Sequence, residues 1–162
     1  MHCHYDSNYK YNQINEIMRE TKFRGKRICT GEWVYGSYAP NTYDAGKALI
    51  ITYSPYDPDY VWEEVDPSTV GEYTGLKDKN GKEIYEGDVI RSPLSEDKTR
   101  PHRIFYHTSN AAFMGALVDR KELCYLRLDQ DWIYKFGKEV IGNIHDNPEL
   151  IEKQTAERHK TN

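Results

Sequence analysis

His2-Cys3-His4 places two imidazoles and a thiol in a row, ligand types that zinc and copper accept. A metal site needs further ligands converging from elsewhere, and no CxxC or HxxxH pair supplies them. The cluster therefore reads as an irregular tail, and no metal or cofactor is expected. Cys29 and Cys124 could each offer a nucleophile, but a thiol needs an imidazole to activate it. The sequence sets neither His102 nor His107 beside them, and their strand-like surroundings suit small buried hydrophobes. Paired carboxylates at Asp57/Asp59, Glu63/Glu64 and Asp129/Asp131 could hold Mg²⁺ or divide acid and base roles. Each pair stands beside turn residues or aromatics at strand spacing, the ordinary setting of solvated carboxylates, and Asp129-Gln130-Asp131 reads as a hairpin loop. The phosphate-cradling patterns GxxxxGK[ST] and GxGxxG are absent, as is the GxSxG elbow. The expectation is a protein that is not an enzyme. A small metal-dependent hydrolase using carboxylates such as Asp57 ranks last among the readings.

Binding chemistry is better represented. Arg19, Lys22, Arg24, Lys26 and Arg27 surround Phe23, and could contact phosphates while Phe23 or Trp33 stacks on bases. The preferred reading of this stretch is an edge strand whose cations discourage edge-to-edge pairing. Lys77, Lys79 and Lys82 surround Asn80-Gly81, but Asp78, Glu83, Glu86 and Asp88 offset them. Tyr73 and Tyr85 serve equally as core rings or as walls of a groove. The candidate binding surface is thus Phe23, Arg24, Lys26, Arg27, Trp33, Tyr35, Tyr73, Lys77, Lys79 and Tyr85. A net charge of −4 argues against generic nucleic-acid binding, because phosphate affinity comes mainly from a basic field.

These side chains need a scaffold, and 162 residues suffice for one with a true core. Fourteen Tyr, three Trp and four Phe favour strands over helices. Strands are expected at 31–38, 47–53, 61–65, 70–76, 82–85, 89–91, 103–107, 112–118, 123–128 and 140–144, with 54–60 a loop. Asn80-Gly81 is a hairpin turn, since both positions tolerate φ > 0. A short helix is expected within 12–20, and another over 148–159 with Asn147 as its cap and Pro148 in its first turn. The fold class is all-β: a small SH3-like, barrel-type or bent-sheet unit, with N-terminal strands packed on it and a short C-terminal helix. Asp66-Pro67-Ser68-Thr69 reads as an internal boundary, giving an extension over 1–17, N-terminal strands over 18–69, a barrel-like core over 70–146 and a tail over 147–162.

Four stretches carry a resemblance: Arg19–Gly25 (RETKFRG), Gly31–Gly36 (GEWVYG), Val70–Arg91 (VGEYTGLKDKNGKEIYEGDVIR) and Val140–Leu150 (VIGNIHDNPEL). In this order they resemble the YopX protein family of bacteriophages and prophages. The resemblance runs from about Met18 to Leu150 and implies a small β-rich protein without an assigned biochemical role or catalytic residues. Family chains usually begin near the equivalent of Met18, so residues 1–17 depart from the pattern. With no apolar run long enough to span a membrane and no signal-peptide blocks, the host bacterial cytoplasm is expected. The resulting expectation is a non-catalytic accessory protein that binds a host or phage protein, or itself as a homo-oligomer. Nucleic acid, held on a basic and aromatic face, is the alternative partner.

Overall fold

The computed structural model describes residues 20–40, 44, 46–54, 57–92, 100–118 and 125–151, and the side chains of all of these except 53, 54 and 57–59. Six antiparallel strands form a first sheet: β1 (Phe23–Lys26), β2 (Trp33–Pro40), β3 (Ala48–Ser54), β4 (Asp57–Val65), β5 (Gly71–Lys77) and β6 (Glu83–Tyr85). Their order is β4-β3-β2-β1-β5-β6. A second antiparallel sheet holds β7 (Asp88–Arg91), β8 (His102–His107), β9 (Ala112–Leu117), β10 (Tyr125–Arg127) and β11 (Glu139–Asn143), in the order β10-β9-β8-β7-β11. The all-β expectation holds, as a pair of unclosed, bent sheets.

Period-two alternation builds the first core. Val34, Ala48, Ile50 and Val65 are buried on one face, with Phe23 and Val70 against them. The sheet curls over this cluster until the end of β4 returns to β1. There Arg27 bridges Val65, Ile28 N–H donates to the Glu64 carbonyl at 3.1 Å and Asp66 N–H to that of Lys26 at 2.9 Å. The curl depends on missing side chains. A Cβ on Gly25 would lie 2.9 Å from Val65 Cγ2, and one on Gly36 only 2.1 Å from the Ile51 carbonyl oxygen.

A second core lies against the second sheet: Ile84, Ile90, Ile104, Phe113, Leu128 and Ile133, with Leu76, Trp132 and Val140 at its margin. Ile133 and Trp132 belong to a helix, α1 (Gln130–Lys135), where a hairpin loop was expected. Asp129 starts it: its Oδ1 accepts the Trp132 N–H at 2.7 Å, the bond an N-cap carboxylate makes. A helix of six residues is too short to show its period in the sequence.

Other expectations shift for physical reasons. Residues 23–26 were read as an edge, yet β1 is interior, hydrogen-bonded to β2 and β5. Its cations are tolerated there because carboxylates from outside the strand meet them. The strand expected over 61–65 begins at Asp57, so the loop expected over 54–60 is mostly strand. Pro58 sits in β4, which is terminal in its sheet and can spare an N–H. Cys29 is exposed in a turn rather than in the core. Asp66 caps a 3-10 turn at Pro67–Thr69, and the chain then continues as β5 beside β1. The chain passes from the first sheet to the second at Glu86-Gly87. Gly87, at φ 79°, donates to the Ile104 carbonyl and accepts from Ile144 N–H, both at 2.9 Å.

Glu149–Ile151 is helical, as expected after Pro148. The rest of that helix, the helix within 12–20, His2-Cys3-His4 and Cys124 lie outside the described residues.

Candidate functional site

Alternation along β1 turns Arg24 and Lys26 to the face opposite the first core. Across the ladder they meet Tyr35 and Trp33 of β2. Arg24 faces Gly71 on β5, whose missing side chain lets the Glu86 backbone come close: a Cβ there would lie 2.8 Å from the Glu86 carbonyl oxygen. The Arg24 guanidinium is buried between two rings, 4.5 Å from the centre of Trp33 and 4.9 Å from that of Tyr85. Its Nη2 donates to Asp88 Oδ1 at 2.7 Å and to the Glu86 carbonyl at 3.1 Å. Asp88 Oδ2 accepts the Tyr85 N–H at 2.8 Å. Burial pushes the Asp88 carboxyl above its ordinary range even with Arg24 alongside.

Two smaller clusters extend the arrangement. Tyr85 lies 5.6 Å from Tyr35 and 5.4 Å from Tyr73, ring centre to ring centre, and its hydroxyl donates to Glu83 Oε2 at 2.7 Å. Burial and the Glu83 charge drive that hydroxyl far above its usual range. Lys22 Nζ bonds the other Glu83 oxygen at 2.7 Å, over the Tyr73 ring. On the other side Asp146 accepts from Trp33 Nε1 at 2.7 Å and Asn143 Nδ2 at 2.6 Å, and pairs with Lys26 Nζ. Burial alone would raise the Asp146 carboxyl, but bonds from Lys26, Asn143 and Trp33 outweigh it and bring it to about 2. His145 stands edge-on to Trp33 at 5.9 Å, its imidazole held below its ordinary range by burial and by the Arg24 and Lys26 charges.

Of the ten residues expected to form a binding surface, Arg24, Lys26, Trp33, Tyr35, Tyr73 and Tyr85 come together here. Phe23 faces the first core and Tyr38, at 5.4 Å between ring centres. Arg27 makes a two-pronged bond to Glu63 at 2.9 and 2.8 Å, which holds the Glu63 carboxyl low, and also reaches Glu32 at 3.1 Å. Lys77 is held through its backbone by Gln130 at 3.0 and 2.8 Å, and Lys79 pairs with Glu139 at 2.8 Å. A groove of about 510 Å³ beside the cluster is lined by Lys26, Arg27, Ile28, Asp66 and Thr69, and both its cations already face carboxylates.

This cluster joins the sheets; its charge is satisfied internally. Asp88, Asp146 and His145 were not foreseen in it, because they come from chain segments far from β1 and no local spacing announces them. Two other surfaces were also missed. One is β4, where Trp62 is 58% exposed. The other is the outer face of β8–β10, whose alternation was read only as strand. Among the described residues, no three His, Cys, Asp or Glu side chains converge as metal ligands would. No helix among them is long and apolar enough to cross a membrane.

Comparison with known proteins agrees with this architecture. A family model described as YopX protein matches residues 22–152. A crystal structure of protein EF1440 from Enterococcus faecalis is similar at 25% identity and a TM-score of 0.52, over 83% of this chain and 99% of that one. No curated protein matches.

Proposed function

The chain belongs to the YopX protein family, and on that premise we propose that it is a phage-type accessory protein that binds another protein without catalysis, by adding a strand at β4. The phage and prophage setting of the family supports the accessory role and a place in the host cytoplasm.

The observation that carries the binding mode is the direction of Trp62. The Glu64 carbonyl already points across the outer edge of β4, where Ile28 bonds it. Backbone groups alternate sides along a strand, so Trp62, two residues earlier, turns its N–H and C=O to that same edge. Its indole stands 58% exposed on the face shared with Ile51, its ladder partner. An edge that no described residue covers at Trp62, beside a large exposed aromatic, is what strand-adding recognition uses: backbone bonds give affinity and side-chain contacts give selectivity. The strand DPDYVWEEV carries no cation, and although Arg27 and Lys47 engage Glu63 and Glu64, the carboxylates of Asp57 and Asp59 favour a basic extended segment over a second copy.

Trp62→Pro tests this, since it removes an N–H aimed at the free edge and no bond of the β3–β4 ladder. Tagged protein is used to retain partners from host lysate, with and without nuclease, alongside sedimentation of the purified chain. The expected result is one protein retained regardless of nuclease, lost with Trp62→Pro, and a monomeric purified chain. Retention indifferent to Trp62→Pro, retention abolished by nuclease, or self-association alone would overturn the reading.

A further inference from the structure

Arg24, Lys26, Arg27 and Lys79 are paired with carboxylates, whereas among the described residues Arg103 and Arg127 of the second sheet are in no ion pair. We propose that the outer face of β8–β10 binds a single strand of nucleic acid, with bases against Phe105 and Tyr125 and phosphates at Arg103 and Arg127. This site is separate from the β4 edge and does not depend on it.

Register defines the face. Arg103 lies opposite Ala116, which lies opposite Tyr125; Phe105 lies opposite Met114, which lies opposite Arg127. Directly opposed residues share a face, so both arginines, both rings, Met114 and Ala116 are on one side of the sheet. His107, two residues beyond Phe105, is there as well. The opposite side carries Ile104 and Phe113 into the second core. On the outer side three rings gather: Phe105 and Tyr125 at 5.2 Å, His107 and Tyr125 at 4.8 Å, Phe105 and His107 at 6.0 Å between centres. Met114, the ladder partner of Phe105, is buried on this face, and Ala116 contributes only a methyl group between Arg103 and Tyr125.

Charge is the deciding feature. Arg103 and Arg127 are exposed, and neither makes an ion pair among the described residues; the contact of Arg103 is the Phe105 ring, at 5.9 Å. Arg91 follows on the same face of β7, two residues from Val89, the ladder partner of Arg103. Opposite it Glu139 is engaged by Lys79. A hollow of about 200 Å³ opens beside the row, bordered by Arg103, Phe105, Ser68, Glu86 and His145. Glu86 forms no ion pair with Arg103: its two oxygens accept backbone N–H groups of Tyr106 and Glu72 at 2.8 and 3.2 Å. Unpaired guanidinium groups alternating with partly exposed rings on an open sheet suit a flexible polyanion whose rings can stack. An acidic peptide could satisfy the arginines but would leave the rings unused. A duplex hides its bases, so rings that need an open base face to stack on favour a single strand over duplex DNA.

The test is fluorescence anisotropy of the full chain with a labelled oligodeoxythymidylate, from low to moderate salt. Binding is expected at about 50 mM salt and to weaken with salt by roughly 0.7 log units per log unit for each phosphate contacted. The Arg103→Gln/Arg127→Gln double variant is expected to bind at least about tenfold more weakly, with the slope reduced by about 1.4. Tyr125→Ala should weaken binding and Tyr125→Phe should not, because stacking uses the ring. Arg27→Gln, at a paired cation, should change nothing. The proposal falls if the wild type does not bind, if the double variant binds equally, or if Arg27→Gln weakens binding as much. It falls also if a duplex of equal length, or polyglutamate at equal charge, displaces the labelled strand as well as unlabelled oligodeoxythymidylate does.

Discussion

Arg24 and Asp88 meet at 2.7 Å from different sheets, the guanidinium held between the rings of Trp33 and Tyr85. Their side chains are 7% and 1% exposed, so neither charge can turn to water if the other is removed. Arg24→Met or Asp88→Asn alone is expected to cost about 3–5 kcal/mol, because each strands a buried charge. The double variant should cost clearly less than the sum. Arg24→Lys should not restore stability, since an ammonium cannot lie flat between the rings and still bond both Asp88 and Glu86. Urea unfolding of the four variants checks this; additive losses would show that the pair is not coupled.

How much of this was legible follows from where each signal resides. Alternating runs such as Ala48–Ser54 and His102–His107 declare strands locally, and Asn80-Gly81 declares its turn. The role of Arg24 is not local, for its partner lies 64 residues on. A basic run inside an interior strand looks the same in sequence as one at an edge until the distant carboxylates are known. Asp129 misled for the opposite reason: a cap and a loop begin with the same residue type, and only Trp132 and Ile133 falling into the core distinguish them. The resemblance located the Val70–Arg91 block, but nothing in the order of its residues reveals that a sheet ends inside it.

Two glycines separate close contact from backbone strain. Gly36→Ala would drive a methyl to 2.1 Å from the Ile51 carbonyl oxygen, a backbone atom that cannot step aside. Gly31, at φ 72°, has open space around its would-be Cβ, so Gly31→Ala meets only the left-handed backbone penalty of about 1–2 kcal/mol. Thermal unfolding should rank Gly36→Ala as the more damaging of the two. Equal losses would mean that β2 and β3 can separate without cost.

Acid should loosen the seam. The folded pKa of His145 lies below the ordinary 6.5, so its contribution is complete above that value and is lost as pH falls through the lower folded one. Asp146 acts in the same direction further down, its contribution present above 3.8 and lost toward about 2. Asp88, raised by burial, runs the other way: its contribution is present below 3.8 and lost as pH rises through its folded value. Arg24 and Lys26 face the imidazole and disfavour its charge, while Asp146 and Asp66 favour it less strongly. Melting temperature should therefore decline as pH drops below about 6.5, and His145→Gln should flatten the first part of that decline. An unchanged profile in the variant would remove His145 from the account.

A further tie between the sheets is Asp78, 1% exposed at the hairpin between β5 and β6. Its Oδ1 accepts the N–H groups of Asn80 and Lys82 at 2.7 and 3.0 Å, and its Oδ2 accepts that of Val140 on β11 at 3.1 Å. One carboxylate thus shapes the turn and anchors it to the other sheet. Asp78→Ala leaves three donors without an acceptor and should cost on the order of 3 kcal/mol or more. Asp78→Asn keeps one carbonyl oxygen for the turn but can present an N–H₂ group to Val140, so it should lie between alanine and wild type. Hydrogen exchange separates the two functions of the side chain. In Asp78→Asn the Val140 amide should exchange faster while those of Asn80 and Lys82 stay protected, whereas in Asp78→Ala all three should open. Protection of Val140 retained in both variants would mean that β11 is held by its ladder with β7 alone.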